Sequence, residues 1–268
     1  MSRNRVDAGL EKGRAPSARK RSARRSVQQP AITGAERGPD SNSLADRVAT
    51  MPTSPLLEDI PTALIESLRY LISRFQLGDH SEFPARLGVT SALHGEGVTT
   101  ISRSLAAIVA NDLGVETCWI DLSWRVARGG GDVPGPPGLA DVLAGRLELH
   151  KVLRSTGDSR LTLLHSGTVG PGQREAFSRS PLLGDVIDQL AMQFPTVILD
   201  TPPVLAGSAG IGQLRHAESY MLVVRHGVTS VQQVRAATDQ LRAIPSLGVI
   251  LNQYSSNIPK RLTHFFVP

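Results

Sequence analysis

Leu87-Gly88-Val89-Thr90-Ser91-Ala92-Leu93-His94-Gly95-Glu96-Gly97-Val98-Thr99-Thr100-Ile101 is the stretch on which the fold turns. Residues 87–91 read as a short strand, residues 94–100 as a glycine turn, and Ile101 to Leu113 as a helix that Gly114 closes. A strand that passes through a glycine turn into a helix aims backbone N–H groups and the positive end of a helix dipole at one point, which makes an anion site. Two glycines in this setting also describe an ordinary tight turn, so the flanking residues matter. Thr99 has the hydroxyl that a Mg²⁺ ion needs, but Val98 stands where the general phosphate-binding fingerprint has lysine.

Outward from this stretch, strands alternate with helices. Glu116–Asp121, Leu161–His165, Thr196–Asp200, Tyr220–Val224 and Leu247–Leu251 read as strands, most of them continuous apolar runs. Continuous runs suit strands covered on both faces, as in a parallel sheet with helices on each side. Leu64, Ile65, Leu68, Leu71, Ile72 and Phe75 recur at three and four residues and predict an amphipathic helix over Ile60–Phe75; Pro181–Met192 and Val228–Leu241 predict two more. Leu139–Leu143 and Leu147–Leu153 are short helical pieces, and the Gly/Pro-rich segment from Arg128 to Gly138 is a loop. The expected fold is an open, doubly wound α/β sheet, and such sheets bind ligands at the carboxyl ends of their strands. Asp121 and Asp200 each end a strand, so both converge on the crevice that holds the glycine turn. Asp200, which is followed by Thr201-Pro202-Pro203, also reads as a turn or helix-capping residue. Arg125 and Arg225 read as solvated strand-end residues with a phosphate contact as the alternative, Arg125 being one group that could replace the loop lysine, and Trp119 and Trp124 read as packing rather than a base-stacking platform.

Composition narrows the function. The 268 residues carry a net charge of +5, but residues 1–25 alone hold nine Lys and Arg against two acids. The remainder is therefore net −2 by the same count, which argues against a charged nucleic-acid groove in the fold. The basic segment has too little apolar content to order itself, and it offers attraction to an anionic membrane surface or to nucleic acid without structure. One cysteine, Cys118, excludes an internal disulfide and a multi-cysteine zinc site, and no structural metal is expected. No apolar run is long enough to span a membrane, so the chain reads as cytoplasmic. The expected organisation is a disordered basic tail and linker over 1–54, a helix and connection over 55–85, the main domain over 86–254 and a tail over 255–268.

From about residue 60 to 252 the chain resembles the cytoplasmic ATP-binding domain of the bacterial tyrosine kinases of capsule and exopolysaccharide biosynthesis, within the MinD/ParA group of P-loop ATPases. The residues that carry the likeness are Ser91–Thr100, Trp119–Arg125, Val197–Leu205, Gly138-Leu139-Ala140-Asp141-Val142-Leu143-Ala144-Gly145 and Val249–Asn252. The resemblance implies a P-loop NTPase-like doubly wound, mostly parallel sheet with helices on both faces. It further implies a site for ATP or ADP with Mg, in which Gly95, Glu96, Gly97, Val98, Thr99 and Thr100 form the phosphate loop and Asn252 lies near the adenine. In the same scheme Thr99 and Asp200 hold the metal, and Asp121 and Asp200 are the catalytic acids. A membrane-embedded polysaccharide chain-length regulator is the implied partner, together with homo-oligomerisation and recruitment to the inner face of the membrane; no specific nucleic acid is expected.

The departures from the family pattern are as informative. The loop lysine is Val98, and the second acid of the Asp-x-Asp pair is Ser123. The C-terminal tyrosine cluster is missing, since the chain has only Tyr70, Tyr220 and Tyr254. Glu66-Ser67-Leu68-Arg69 keeps the first arginine of the family's Glu-x-x-Arg-x-x-Arg oligomerisation helix and loses the second. The leading expectation is therefore a polysaccharide-assembly regulator with impaired catalysis. Its alternatives are an active ATPase or tyrosine autokinase of the same pathway, and a partition-like ATPase whose basic arm touches DNA.

Overall fold

The computed structural model describes residues 55–77, 83–124, 136–156, 160–169 and 172–254. The expected basic tail and linker over 1–54, Arg125 with the loop glycines at 129–131 and 135, and the tail over 255–268 lie outside the described residues.

In chain order the elements are α1 (Pro55–Glu58), α2 (Thr62–Leu77), β1 (Arg86–Ser91), α3 (Val98–Asp112), β2 (Thr117–Asp121), α4 (Leu139–Leu143), α5 (Leu149–Val152), β3 (Arg154–Ser155), β4 (Leu161–Leu164), α6 (Gln173–Ser178), α7 (Pro181–Gln193), β5 (Thr196–Asp200), α8 (Ser208–Leu214), β6 (Ser219–Arg225), α9 (Val231–Gln240) and β7 (Ser246–Asn252). The seven strands form one sheet in the order β3-β4-β2-β5-β1-β6-β7. All pairings are parallel except β3 with β4. This is the doubly wound α/β fold that the apolar runs predict.

Both faces of the central strands β1, β2, β5 and β6 are buried, which is why they do not alternate with polar residues, whereas the edge strand β7 leaves Val249 and Leu251 exposed. On one face Leu87, Val89, Trp119, Ile198, Met221 and Val223 pack against Ile101, Leu105 and Ile108 of α3 and Leu68 and Ile72 of α2. A second cluster joins Cys118, Ile120, Val197 and Leu199 to Leu139 of α4 and to Leu183, Ile187 and Leu190 of α7. A third holds Tyr220, Leu222 and Val224 against Leu214 of α8 and Ala237 of α9. Successive residues of β2 thus enter different clusters, as a pleated strand requires. Trp119 and Trp124 are both fully buried, as packing residues.

Two local features depart from the periodicity. The α3 helix begins at Val98, three residues before the expected start, because Gly97 takes a left-handed conformation (φ 96°) and Ile101 N–H closes the first turn on the Gly97 carbonyl at 3.0 Å. The segment Gly138–Gly145 is a docking device for the end of β4. Leu139 and Ala140 N–H donate to the His165 and Ser166 carbonyls at 2.8 and 2.9 Å, and Asp141 accepts from Gly138 N–H at 2.9 Å and from Arg146. Gly138 lies so close to His165 and Gly167 that a Cβ there would fall on their backbone atoms.

The α2 helix is tied to α3 by Arg69, which pairs with Asp112 at 2.7 Å and with Glu66 at 3.1 Å. The hydrogen bond that Arg69 donates to Asp112 raises the Arg69 pKa. Burial works to raise the Asp112 carboxyl, but the hydrogen bonds from Arg69 and Asn111 together with the Arg69 charge outweigh it, and its pKa lies below the usual value. At 42% side-chain exposure this pair adds little stability, and the helix is held mainly by its apolar face. The arginine of the expected oligomerisation motif thus has partners within its own chain.

Burial pushes the Cys118 thiol up to about 12, so it should stay unmodified by a disulfide reagent at pH 8 in the folded chain. Its labelling should track denaturant unfolding; rapid labelling without denaturant would contradict this packing. Gly138→Ala should lower the stability by about 1–3 kcal/mol, because the backbone of residues 165–167 must shift to admit the methyl group. A denaturation midpoint matching that of the native chain would show the segment to be loosely docked.

Candidate functional site: a phosphate-loop cavity

Placing β5 between β1 and β2 brings three strand ends to one crevice. The β1 strand leads into the loop of residues 92–97, β5 ends at Asp200, and Asp121 of β2 sits in register with Asp200. Here opens a cavity of about 780 Å³, lined by Ser91, His94 to Thr100, Ser123, Trp124, Arg174 and Asp200 to Pro203. All six expected loop residues, Gly95, Glu96, Gly97, Val98, Thr99 and Thr100, therefore meet Asp200 on one surface.

The loop owes its shape to two left-handed glycines and one buried acid. Gly95 (φ 80°) and Gly97 (φ 96°) adopt backbone angles that side chains rarely tolerate. Between them Glu96 is 1% exposed. Its carboxyl accepts hydrogen bonds from Leu93 N–H at 2.8 Å, from Arg225 N–H at 3.3 Å and from the Thr229 hydroxyl. Ser230 and Gln233 cap the start of α9 reciprocally and so fix the turn that presents Thr229. The Asn252 side-chain amide donates to the Glu96 carbonyl at 2.8 Å, and a Cβ on Gly97 would fall on that amide nitrogen. Asn252 thus clamps the loop from the end of β7 and is not part of the cavity wall.

The acids have different surroundings. Asp200 is fully buried at the cavity floor, where Leu122 N–H takes its carbonyl at 2.8 Å. Thr201 and Thr90 secure the next turn, through Thr201 N–H and hydroxyl to the Val89 carbonyl and Thr90 Oγ1 to the Pro202 carbonyl, each at 3.0 Å. Asp121 turns inward: Oδ1 accepts Ser123 N–H at 2.9 Å and Ser123 Oγ at 2.6 Å, and Oδ2 accepts Ser166 Oγ at 3.2 Å. Ser123 reaches the cavity while its hydroxyl is spent on Asp121. Trp124 follows with an unusual positive φ of 47° that swings its ring beneath α6.

The chemistry on offer is anion binding beside a metal-capable acid. Backbone N–H groups at the start of α3, which lack intrahelical acceptors, suit phosphate oxygens, and Thr99 with Asp200 suits a divalent cation. Arg174 also lines the cavity although nothing in the sequence of residues 165–180 marks a ligand loop; its place on the wall depends on the return from β4.

No family model matches the chain. It is 32% identical over 178 residues to the tyrosine-protein kinase CpsD of Streptococcus agalactiae serotype Ia, covering 64% of this chain and 75% of that protein. It is 30% identical over 169 residues to the tyrosine-protein kinase Etk of Escherichia coli K12, of whose length the match covers 23%. Among solved structures, the Etk kinase domain superposes with a TM-score of 0.63 at 24% identity, covering 78% of this chain and 86% of that one. MinD of Pyrococcus horikoshii, solved with Mg-ADP, superposes with a TM-score of 0.52 at 23% identity over 68% of this chain and 77% of that one. At these identities the structures speak for the P-loop ATPase fold alone. The sequence match over three quarters of a full-length relative goes further, and the chain belongs to the bacterial tyrosine-protein kinase family that its loop, strand ends and Gly138–Gly145 segment resemble.

Proposed function

We propose that this chain is a regulator of capsular or exopolysaccharide assembly that binds ATP or ADP with Mg²⁺ in the phosphate-loop cavity and turns it over slowly. One observation carries the reading: Gly95, Gly97, Thr99 and Thr100 share a single cavity with the buried acid Asp200, while Val98 occupies the lysine position. The loop amides would bind the phosphates, and Thr99 and Asp200 would hold the metal. Held there, Mg²⁺ would supply positive charge that offsets the charge of the phosphates.

Catalysis is weakened at two named places. Phosphoryl transfer depends on positioning and on neutralising transition-state charge, and Val98 contributes no cation to that task. Ser123 brings a hydroxyl in place of an acid, and that hydroxyl is already bonded to Asp121. For a chain-internal phosphoryl acceptor, Tyr220 is buried whereas Tyr70 and Tyr254 are 69% and 64% exposed. In this reading regulation runs through contact with a membrane-embedded chain-length regulator; among the described residues no helix is long and apolar enough to cross a membrane.

Calorimetric titration of the full chain with ATP should give binding that strengthens with Mg²⁺, and Asp200→Asn should remove most of that Mg²⁺ dependence. Equal Mg²⁺ dependence in the variant would reduce Asp200 to a turn residue. Val98→Lys should tighten ATP binding about tenfold, the worth of one charge-assisted hydrogen bond. Appreciable hydrolysis should need Ser123→Asp as well. A native chain that hydrolyses ATP briskly, with no gain from Val98→Lys, would establish an active ATPase or autokinase instead.

A further inference from the structure

The cavity has an unbalanced charge if Val98 and the loop are considered alone. The loop brings N–H dipoles but no cation, and Asp200 adds an acid to the wall where phosphates would lie. A polyphosphate seated there needs a positive side chain, and the described wall holds one arginine, Arg174 of α6.

Three features of Arg174 single it out. It is half-buried, so part of its hydration is already lost. Among the described residues no carboxyl group pairs with it, whereas Arg69, Arg86 and Arg146 all form ion pairs. Its helix is also pinned. Arg174, Phe177 and Ser178 are three and four residues apart and share one face of α6. On that face the Phe177 ring lies 5.7 Å from Trp124, and Ser178 Oγ accepts from Trp124 Nε1 at 3.0 Å and from Gln213 Nε2 at 2.8 Å. Arg179 adds a bond to Ser208 Oγ at 2.9 Å. The left-handed turn at Trp124 therefore anchors α6 to the strand end at Ser123, and Arg174 is presented to the cavity from a fixed support.

We propose that Arg174 is the phosphate-binding cation of this site, supplying from α6 the charge that Val98 does not supply from the loop. A guanidinium suits the role, because its planar fork matches two phosphate oxygens and stays charged at any relevant pH. The assignment rests on the nucleotide-binding reading and names a residue that this reading does not require.

The test is calorimetric titration of the full chain and its variants with Mg-ATP, adenosine and inorganic tripolyphosphate. Arg174→Ala should weaken Mg-ATP and tripolyphosphate about tenfold or more while leaving adenosine unchanged. Arg174→Lys should recover part of the loss, and Val98→Lys in the Arg174→Ala background should recover most of it. Unchanged Cys118 protection would show that the variants are folded. If Arg174→Ala binds Mg-ATP within twofold of the native chain, the proposal is overturned and nucleotide binding stands. A parallel loss of adenosine and tripolyphosphate would also overturn it, by making Arg174 a packing residue. Failure of the native chain to bind any of the three overturns both readings.

Discussion

The buried carboxyl of Glu96 is the interaction around which this site is built. Burying an acid at the tip of a glycine turn is costly unless its oxygens find donors, and here the donors come from its own turn and from the turn that links β6 to α9. Leu93 lies in the turn itself, Arg225 at the end of β6 and Thr229 in the approach to α9. With Asn252 bonding the Glu96 carbonyl, the loop is tied to β6 and β7 as firmly as to its own strand. The anion cradle is therefore shaped by tertiary contacts before any ligand arrives, and its glycines have a definite conformation to serve. Preorganisation of this kind favours binding, because little ordering remains to be done when the phosphates enter.

Most of the architecture was legible because parallel strands buried on both faces cannot hide their composition. The runs over 87–91, 116–121, 196–200 and 220–224 became strands within one or two residues of the expected limits, and the run over 247–251 became the more exposed edge strand β7. Elements that depend on neighbours were not legible. The α8 helix is Ser-Ala-Gly-Ile-Gly-Gln-Leu, poor in helix formers, and it exists because Gly210 lets it approach the Pro202 carbonyl closely. The β3 strand is two residues long and depends on its antiparallel partner β4. Likewise α6 has too few residues to show a period, and its hold comes from Trp124 and Gln213, both distant in sequence.

The site divides in the same way. Loop residues and Asp200 announce themselves by type and position at strand ends, and they do share one cavity. Glu96 and Asn252 look like ligand-facing members of a motif, yet the structure uses the carboxyl of one and the amide of the other to fasten the loop. Asp121 reads as a catalytic acid, but its oxygens are committed to Ser123 and Ser166. Local spacing identifies residues brought to a place; which way a polar side chain turns there depends on donors contributed from elsewhere.

The strand order also governs how the chain must be assembled in time. The β1 strand pairs on one side with residues 197–200 and on the other with residues 219–223, and never with the strand that follows it in sequence. More than a hundred residues must be synthesised before Leu87 and Val89 acquire either neighbour. Closing such long loops delays the reward of pairing, so folding should be slow relative to chains rich in local contacts. While a ribosome is still extending the polypeptide, the nascent β1 and α3 apolar surface has no sheet to join, which makes this first half the natural client of a holding chaperone.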